Sequence, residues 1–349
     1  MGEFLSIFIA GFEDTVLRHI PRELGGAEMI HISGGFAHYK YAGKPEFVAR
    51  LPFINNSFAV LTKYQGAGNK FDKLVRDSAK KTFRHIGEYK SFRVRFSNEN
   101  QFEKVPKSLM ELAESVIIKN CGMYADRMKP KCEFWFIIRR DGRGYLGQLL
   151  NKRGGAGPGS GAGTRAGPGS GPGANLSGGE LRPELACLLC LDLEFGKSAV
   201  VCDPFAGYGA IPIHIQKYCE YDKIYVSDID ARLVARLKRG ALGRGAGVVI
   251  SCADAARLNH IDDASVDLIV TDPPWGFVGE YSDIVDLYRR AFAEMRRIIK
   301  AGGKIALLTG RPAETTDAAR RNALSVLSRV NVLVNGKKAS VFTLGKKAT

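Results

Sequence analysis

The spacing of apolar residues changes along this chain, and a tract almost free of them divides it. Between residues 154 and 173 the sequence consists almost entirely of Gly, Ala, Pro and Ser, and the hexapeptide AGPGSG occurs twice. Such a composition cannot bury apolar surface, so we predict a flexible linker over residues 154–180. The sequence leaves open whether this linker is native or engineered.

Before the linker, short alternating runs typical of strands are separated by helical patterns. The order β-α-β-β-α-β predicts a ferredoxin-like domain over residues 1–66, followed by a second small α/β domain over residues 67–153. The elements predicted for the first domain are strand Phe4–Ile9, helix Glu13–Leu24, strands Ala27–Ser33 and Ala37–Tyr41, helix Lys44–Leu51 and strand Ser57–Tyr64. Those predicted for the second are helix Lys70–Ile86, strand Ser91–Phe96, helix Pro106–Asn120 and strands Cys132–Arg139 and Gly144–Leu150.

After the linker, strands alternate with helices over residues 181–349. This alternation predicts parallel strands with crossover helices, and therefore an α/β doubly wound sheet of the Rossmann type. The predicted strands are Ala199–Asp203, Ile224–Ser227, Val248–Cys252, Val266–Thr271 and Lys304–Leu308, and a closing hairpin of Val330–Leu333 and Ala339–Leu344. The predicted helices are Ile211–Tyr218, Ala231–Leu242, Tyr281–Lys300 and Ala313–Ser328.

Composition narrows the class of protein. Apolar residues at 45% and charged residues at 25% match a globular protein and argue against a disordered or fibrous chain. The net charge is +15, and residues 1–153 alone hold 26 Lys and Arg against 16 Asp and Glu. Such an excess indicates a polyanionic partner, most often nucleic acid. The apolar N-terminal stretch is too short to span a membrane, so a cytoplasmic location without membrane contact is expected.

The seven cysteines do not indicate a metal site. Cys187 and Cys190 have CxxC spacing, but they fall in the apolar helical pattern Pro183–Leu193, and no second ligand pair follows at zinc-ribbon spacing. We therefore expect buried, reduced thiols and no bound metal.

The first candidate site follows the predicted strand Ala199–Asp203. The segment DPFAGYG, residues 203–209, places an acid at the strand end and two glycines in the turn before the next helix. Gly207 and Gly209 let the backbone pass close to a ligand where a Cβ would collide. Because phosphate prefers amides and cations, Asp203 favours a ligand with an ammonium group over a dinucleotide, whose GxGxxG fingerprint does not occur here.

Two further acids follow the next two predicted strands. Asp228 lies 25 residues after Asp203 in the segment VSDID, where α/β cofactor folds place an acid that accepts from ribose hydroxyls. Asp230 is the neighbouring alternative, although it is better placed to cap the following helix. Asp254 is positioned to accept from an adenine amino group. Three acids at three successive strand ends predict a site for an adenosine-containing ligand at the carboxyl edge of the sheet.

The most specific signal is TDPPWG, residues 271–276, at the end of the fourth strand. An exocyclic amine on a nucleobase is a poor nucleophile because its lone pair is delocalised into the ring. Asp272 and the carbonyl of Pro273 can accept its two N–H bonds, and Trp275 offers a face for stacking an extruded base. Pro273 and Pro274 stiffen the loop, and the rate gain comes largely from positioning the amine in line with a methyl donor.

These motifs carry a family resemblance. Residues 182–349 resemble class I S-adenosylmethionine (SAM) methyltransferases that act on exocyclic base amines, through DPFAGYG, DPPWG and the lead-in Leu181-Arg-Pro-Glu-Leu-Ala186. By pattern, residues 1–153 resemble the ferredoxin-like plus THUMP arrangement of RNA guanine-N2 methyltransferases. The resemblance implies a Rossmann-like domain at residues 181–349, a THUMP domain at residues 67–153 that grips an RNA end, SAM as cofactor and S-adenosylhomocysteine (SAH) as product.

The resemblance also implies which residues act. The catalytic set is Asp272, Pro273, Pro274 and Trp275. The cofactor-binding set is Asp203, Pro204, Phe205, Ala206, Gly207, Gly209, Asp228, Ile229, Asp254, Ala255 and Asp272. Basic positions in the N-terminal half give a candidate RNA-binding set of Lys80, Lys81, Arg84, Arg139, Arg140, Lys152 and Arg153.

The expected reaction is N2-methylation of a guanosine in structured RNA, with tRNA the leading substrate and ribosomal RNA the other. Two alternatives stay open: adenine-N6 methylation of RNA or DNA, which Asp-Pro-Pro-Trp also serves, and a non-catalytic RNA-binding protein on a methyltransferase scaffold. A monomer is expected. The methylated position, mono- versus dimethylation and the need for an activating partner protein are open.

Overall fold

The computed structural model describes residues 1–66, 71–151, 181–191, 193, 195–276, 283–334 and 336–346. Within these ranges the strands form two sheets, one on each side of the predicted linker. The chain divides into two compact units, Met1–Ala174 and Asn175–Thr349. The predicted linker, residues 154–180, and the predicted RNA-binding residues Lys152 and Arg153 lie outside the described residues. None of the helices in the described ranges is long and apolar enough to cross a bilayer.

In the N-terminal unit one sheet runs through both of the predicted small domains. Its strands are β1 (Gly2–Ile7), β2 (Glu28–Ser33), β3 (Phe36–Tyr41), β4 (Asn56–Tyr64), β5 (Ser91–Asn98), β6 (Gln101–Phe102), β7 (Tyr124–Ala125), β8 (Cys132–Ile138) and β9 (Gly144–Leu149). The helices are α1 (Glu13–Leu24), α2 (Pro45–Ala49), α3 (Phe71–Ala79) and α4 (Lys107–Cys121).

The strand order explains how the two halves of this unit join. The first four strands run in the order β2-β3-β1-β4 with antiparallel neighbours, which is the ferredoxin-like arrangement. Strand β4 then pairs antiparallel with β9, and the sheet continues through β8, β5 and β6. The domain boundary between residues 66 and 67 stays a prediction.

The helix expected at Lys70–Ile86 is wrong in its second half, because α3 ends at Ala79. The amide side chain of Gln148 pairs with the backbone at the far end of the expected helix. It accepts a hydrogen bond from the backbone N–H of Ile86 (2.7 Å) and donates one to the Ile86 carbonyl (2.6 Å). A tertiary contact with β9 therefore replaces the helical bonds that the apolar pattern favoured.

The C-terminal unit has the alternating order that the sequence predicts. Its strands are β10 (Val200–Asp203), β11 (Lys223–Asp228), β12 (Val248–Cys252), β13 (Val266–Thr271), β14 (Ile299–Thr309), β15 (Leu324–Val334) and β16 (Lys337–Lys346). Its helices are α5 (Pro183–Leu191), α6 (Ala210–Tyr218), α7 (Ala231–Arg239), a short 3-10 turn (Leu242–Arg244), α8 (Ile284–Ile298) and α9 (Pro312–Arg321).

The sheet order is β12-β11-β10-β13-β14-β16-β15, with β10 to β14 parallel and β16 antiparallel between β14 and β15. The predicted doubly wound fold is confirmed. The order reverses between β10 and β13, and ligands of such sheets bind beyond the carboxyl ends of the strands at this switch point.

Two predicted helices of this unit are wrong in their bounds. The helix expected at Ala313–Ser328 ends at Arg321, and the chain from Leu324 onward pairs with β16 as an edge strand. Helix α8 begins at Ile284 because the side chain of Asp283 caps it, accepting from the backbone N–H of Asp286 at 2.9 Å. The expected start at Tyr281 and the turn residue Asn335 lie outside the described residues.

Candidate active site

Asp203 ends β10 at the switch point and is almost fully buried, with 1% of its surface exposed. Its Oδ1 accepts hydrogen bonds from the Thr271 hydroxyl (2.7 Å) and the Phe205 backbone N–H (3.2 Å). Its Oδ2 is buried and has no hydrogen-bond partner within the described part of the chain. Burial, and to a smaller extent the charge of Asp272, raises the pKa of Asp203 to about 7. An acceptor this costly to leave unpaired indicates a bound donor.

The turn after Asp203 has the backbone conformation that its glycines allow. Gly207 has φ +54° and Gly209 has φ +87°, both in the left-handed region. A Cβ at Gly209 would lie 2.6 Å from Cδ2 of Leu237 on α7. The second glycine is therefore needed for close packing of the turn against a helix of the protein, whereas the sequence had indicated close approach to a ligand.

The acid predicted for the ribose holds this turn in place. Oδ2 of Asp228 accepts from the Gly207 backbone N–H at 2.8 Å, and its Oδ1 accepts from the Asp230 N–H at 2.9 Å. Each carboxylate oxygen can accept a second hydrogen bond, so Asp228 keeps acceptor capacity for a ligand. Asp230 caps α7, as predicted, by accepting from the Arg232 N–H at 2.8 Å.

Asp254 follows β12 at the same edge of the sheet. Its Oδ1 accepts from the Ala256 N–H at 2.9 Å, and its Oδ2 lies 3.9 Å from Nη1 of Arg290. Among its neighbours in the predicted set, Ala255 is buried and Ile229 is exposed. The three predicted acids thus lie at or just after the carboxyl ends of β10, β11 and β12, which share one edge of the sheet.

Asp272 faces the same small cavity as Asp203. Its Oδ1 accepts a 3.0 Å hydrogen bond from the indole Nε1 of Trp275. Burial raises the pKa of Asp272 to about 7, and the hydrogen bond from Trp275 acts in the lowering direction. The cavity is lined by Leu181, Asp203, Phe205, Ala206, Gly207, Tyr208, Ala210, Ile211 and Asp272. The segments DPFAGYG and TDPPWG therefore meet at one cavity.

Three residues that the sequence did not reveal hold the Pro-Pro-Trp loop. The buried hydroxyl of Tyr288 donates to the Pro274 carbonyl at 3.1 Å and lies 2.9 Å from the Thr309 hydroxyl. Nε of Arg311 donates to the Trp275 carbonyl at 2.7 Å. These residues come from α8, the end of β14 and the start of α9, and no motif in the sequence marks them.

The structure corrects the prediction for one residue of the RNA-binding set, Arg139. Arg139 is buried, with 4% of its surface exposed, because its guanidinium is used inside the N-terminal unit. Its Nη1 donates to Asn100 Oδ1 at 2.9 Å, its Nη2 donates to the Gly34 carbonyl at 3.3 Å, and it lies over the ring of Phe36. This side chain stabilises the fold and does not offer a charge to RNA.

The other described members of that set are exposed: Lys80, Lys81, Arg84 and Arg140. Lys80 pairs with Asp77, and the ammonium of Lys81 lies 4.2 Å from the ring centroid of Tyr64. Their role in RNA binding remains a prediction.

The cysteines are free thiols, and both Cys187 and Cys190 are buried. In the described ranges no group of three or more His, Cys, Asp or Glu side chains is arranged to hold a metal ion.

The donor set of the cavity fits SAM. Phosphate groups would be repelled by carboxylates at three strand ends, whereas an ammonium, ribose hydroxyls and an adenine amine all donate hydrogen bonds. The buried Oδ2 of Asp203 can accept from such a donor, and Asp203 lines the cavity together with Gly207 of the turn that Asp228 holds. The sheet order and these residues define a class I methyltransferase domain.

Comparison with known protein families gives a match to the C-terminal unit. Residues 174–340 match the family model described as RMKL-like, methyltransferase domain. The match covers a little under half of the chain, all of it near or within the C-terminal unit, and the predicted cofactor, SAM, is confirmed at the level of this domain family.

Several curated relatives match part of this chain. The ribosomal RNA large subunit methyltransferase K/L of Shewanella sp. (strain W3-18-1) is 37% identical over 93 residues, which is 26% of this chain and 13% of that protein. The release factor glutamine methyltransferase of Clostridium acetobutylicum is 28% identical over 139 residues, 34% of this chain and 49% of that protein. This chain therefore spans only a small part of the first of these relatives and about half of the second.

Solved structures match the whole fold. TrmN from Thermus thermophilus has a TM-score of 0.77 at 21% identity, covering 99% of this chain and 100% of that one. A possible methylase from Clostridium difficile 630 has a TM-score of 0.73 at 16% identity, covering 100% and 99%. The SMU.472 protein, solved in complex with SAH, has a TM-score of 0.66 at 13% identity, covering 100% and 99%. The TM-scores establish that these proteins share the fold of this chain.

Proposed function

We propose that this protein transfers the methyl group of SAM to the exocyclic N2 amine of a guanosine in structured RNA, with tRNA as the substrate. The observation that carries the proposal is the meeting of Asp203 and Asp272 at one cavity, where Asp272 belongs to a loop held rigid by two prolines and by Tyr288 and Arg311. SAM, when bound, supplies an electrophilic methyl group.

The residues of the loop act on the amine. Oδ1 of Asp272 is taken by the Trp275 indole, which leaves Oδ2 to accept one N–H of the guanine amine, while the Pro273 carbonyl accepts the other. These bonds favour a pyramidal nitrogen whose lone pair points at the methyl group. With a pKa near 7, the Asp272 carboxylate can also take the proton that the nitrogen loses on methylation.

The RNA substrate is supported by the N-terminal unit. The 26 Lys and Arg against 16 Asp and Glu in residues 1–153 favour a polyanion. We assign residues 1–66 to a ferredoxin-like domain and residues 67–153 to a THUMP domain, and the match of the whole chain to TrmN agrees with this arrangement. Exposed Lys80, Lys81, Arg84 and Arg140, with Lys152 and Arg153, would contact RNA phosphates.

The test is transfer of labelled methyl groups to unmodified tRNA and ribosomal RNA transcripts, followed by nucleoside analysis. Asp272→Ala is the negative control for catalysis, because it should still bind RNA while losing turnover by orders of magnitude. N2-methylguanosine in tRNA supports the proposal. Methyladenosine would overturn the choice of base. RNA and SAM binding without any transfer would overturn catalysis and favour the non-catalytic RNA-binding alternative.

A further inference from the structure

The charge on α7 differs from that on the other helices of the methyltransferase domain. This helix contains four Lys and Arg and no Asp or Glu. On α8 and α9, by contrast, arginines form ion pairs with carboxylates of the same domain. The pairs are Arg289 and Arg290 with Asp286, Arg297 with Glu294 and Asp263, and Arg320 and Arg321 with Asp317.

On α7 only the first cation is compensated. Arg232 pairs with Asp230 at 2.8 Å. Arg236, Lys238 and Arg239 are exposed, and no carboxylate among the residues that the structure describes lies within ion-pair distance of them. Uncompensated charge on one helix repels itself and is relieved by a bound polyanion.

The cations lie on the side of α7 that faces away from the core. Residues three and four apart share a helix face, so Arg232, Arg236 and Arg239 form one stripe. Val234 and Leu237 are buried on the opposite side. The stripe is therefore presented outward along the length of the helix.

This helix is joined directly to the cavity of the active site. The guanidinium of Arg236 lies 5.1 Å from the ring centroid of Tyr208, and Tyr208 lines the cavity with Asp203 and Asp272. Leu237 packs against Gly209 in the same turn. Phosphates bound to Arg236 on α7 would therefore lie close to a residue that lines the cavity.

We propose that α7 is a second RNA-binding surface, one that holds the phosphate backbone of the substrate beside the site of methyl transfer. The inference rests on the proposed function and adds a surface on the catalytic domain to the contacts of the N-terminal unit. Arginine and lysine neutralise phosphates and release counterions, so the surface contributes affinity and salt dependence and carries no base specificity.

The experiment compares two double variants of the full chain that remove the same charge. K238Q/R239Q neutralises the last turn of α7, and R320Q/R321Q neutralises the last turn of α9, where both arginines are already paired with Asp317. Binding of an unmodified tRNA transcript is measured by fluorescence anisotropy over a range of KCl concentrations, and SAH binding is measured by calorimetry.

We expect K238Q/R239Q to weaken RNA binding about tenfold at 0.1 M salt and to lower the log–log salt slope by about 2. R320Q/R321Q should leave both values unchanged. The wild type and both variants should bind SAH alike, which shows that the domain is folded.

Wild-type affinity and slope in K238Q/R239Q, or an equal loss in R320Q/R321Q, would overturn the role of α7. If the wild-type chain bound no RNA, the proposed function itself would fail. Loss of binding to phosphatidylglycerol vesicles with RNA binding unchanged would reassign the surface to a membrane.

Discussion

The indole Nε1 of Trp275 donates a 3.0 Å hydrogen bond to Oδ1 of Asp272. One bond thus fixes the plane of the aromatic ring proposed to stack the base and the rotation of the carboxylate proposed to accept the amine. The same bond opposes the effect of burial, which raises the pKa of Asp272 to about 7. Stacking, orientation and ionisation at this site are therefore coupled.

Trp275→Phe should separate these effects, because it keeps an aromatic face and removes the donor. Without the hydrogen bond the pKa of Asp272 rises further, so the ascending limb of the pH–rate profile moves to higher pH. We expect turnover to fall at pH 7 and to recover substantially at pH 8.5. Trp275→Ala, which also removes the stacking face, should not recover at high pH. Identical pH profiles for wild type and Trp275→Phe would show that the bond does not tune Asp272.

Asp272→Asn should make the protein inactive and more stable. The pKa of Asp272 is about 7 in the folded protein against an ordinary value of 3.8, so ionising this group costs folding free energy as the pH rises from about 4 to 7. We expect the free energy of unfolding to increase by about 2 kcal/mol at pH 8. The gain should shrink as the pH falls towards 4. Urea unfolding at several pH values measures it, and a gain that does not depend on pH would contradict the assignment.

SAM binding should weaken in acid because of Asp203. A positively charged ligand favours the ionised carboxylate, whereas the free protein is largely protonated below a pKa of about 7. We expect SAM affinity to fall by up to about tenfold per pH unit below this value. Calorimetry in buffers of different ionisation enthalpy should detect proton release on binding near pH 6.5. Asp203→Asn should bind SAM weakly with a flat pH profile, and an unchanged affinity would remove Asp203 from the cofactor site.

Tyr288→Phe should lower turnover without lowering cofactor affinity. The variant keeps the buried ring and removes the hydroxyl that bonds the Pro274 carbonyl and Thr309. Loss of this anchor leaves a buried acceptor unpaired, at a cost of about 1–3 kcal/mol, and lets the loop move. We expect kcat to fall about tenfold with the KM for SAM unchanged. Phe292→Leu, in the same core, is the control for altered packing alone. An equal fall in kcat in this control would show that Tyr288 contributes only to packing.

Arg139→Met should destabilise the N-terminal unit and leave RNA affinity unchanged. It removes the hydrogen bonds to Asn100 and Gly34 from a buried position, with an expected loss of about 2 kcal/mol. Arg140→Ala, at the exposed neighbouring position, should show the opposite behaviour, with unchanged stability and an RNA salt slope lower by about 1. Equal losses of RNA affinity in the two variants would restore Arg139 to the binding surface.

Local pattern was sufficient for the architecture of the C-terminal half. Strands β12 and β13 have the predicted bounds, since each is a short apolar run flanked by residues that end strands. The acids at the strand ends follow from the same pattern, because parallel strands bring their carboxyl ends to one edge. The motif that contains Asp272 could be predicted from the sequence because the residues that its chemistry needs are neighbours in the chain.

Contacts between residues distant in the chain were not encoded in any local pattern. Gln148 hydrogen-bonds the backbone of Ile86, where a helix was expected, and the end of another predicted helix pairs with β16 as strand β15. Burial likewise separates Arg139 from Arg140, two adjacent basic residues with the same local sequence signal. Periodicity and motif spacing report what a segment can form and which chemistry it can carry. Solvent exposure, pKa and anchoring contacts such as that of Tyr288 depend on partners far away in sequence, so they arise only when the chain is folded.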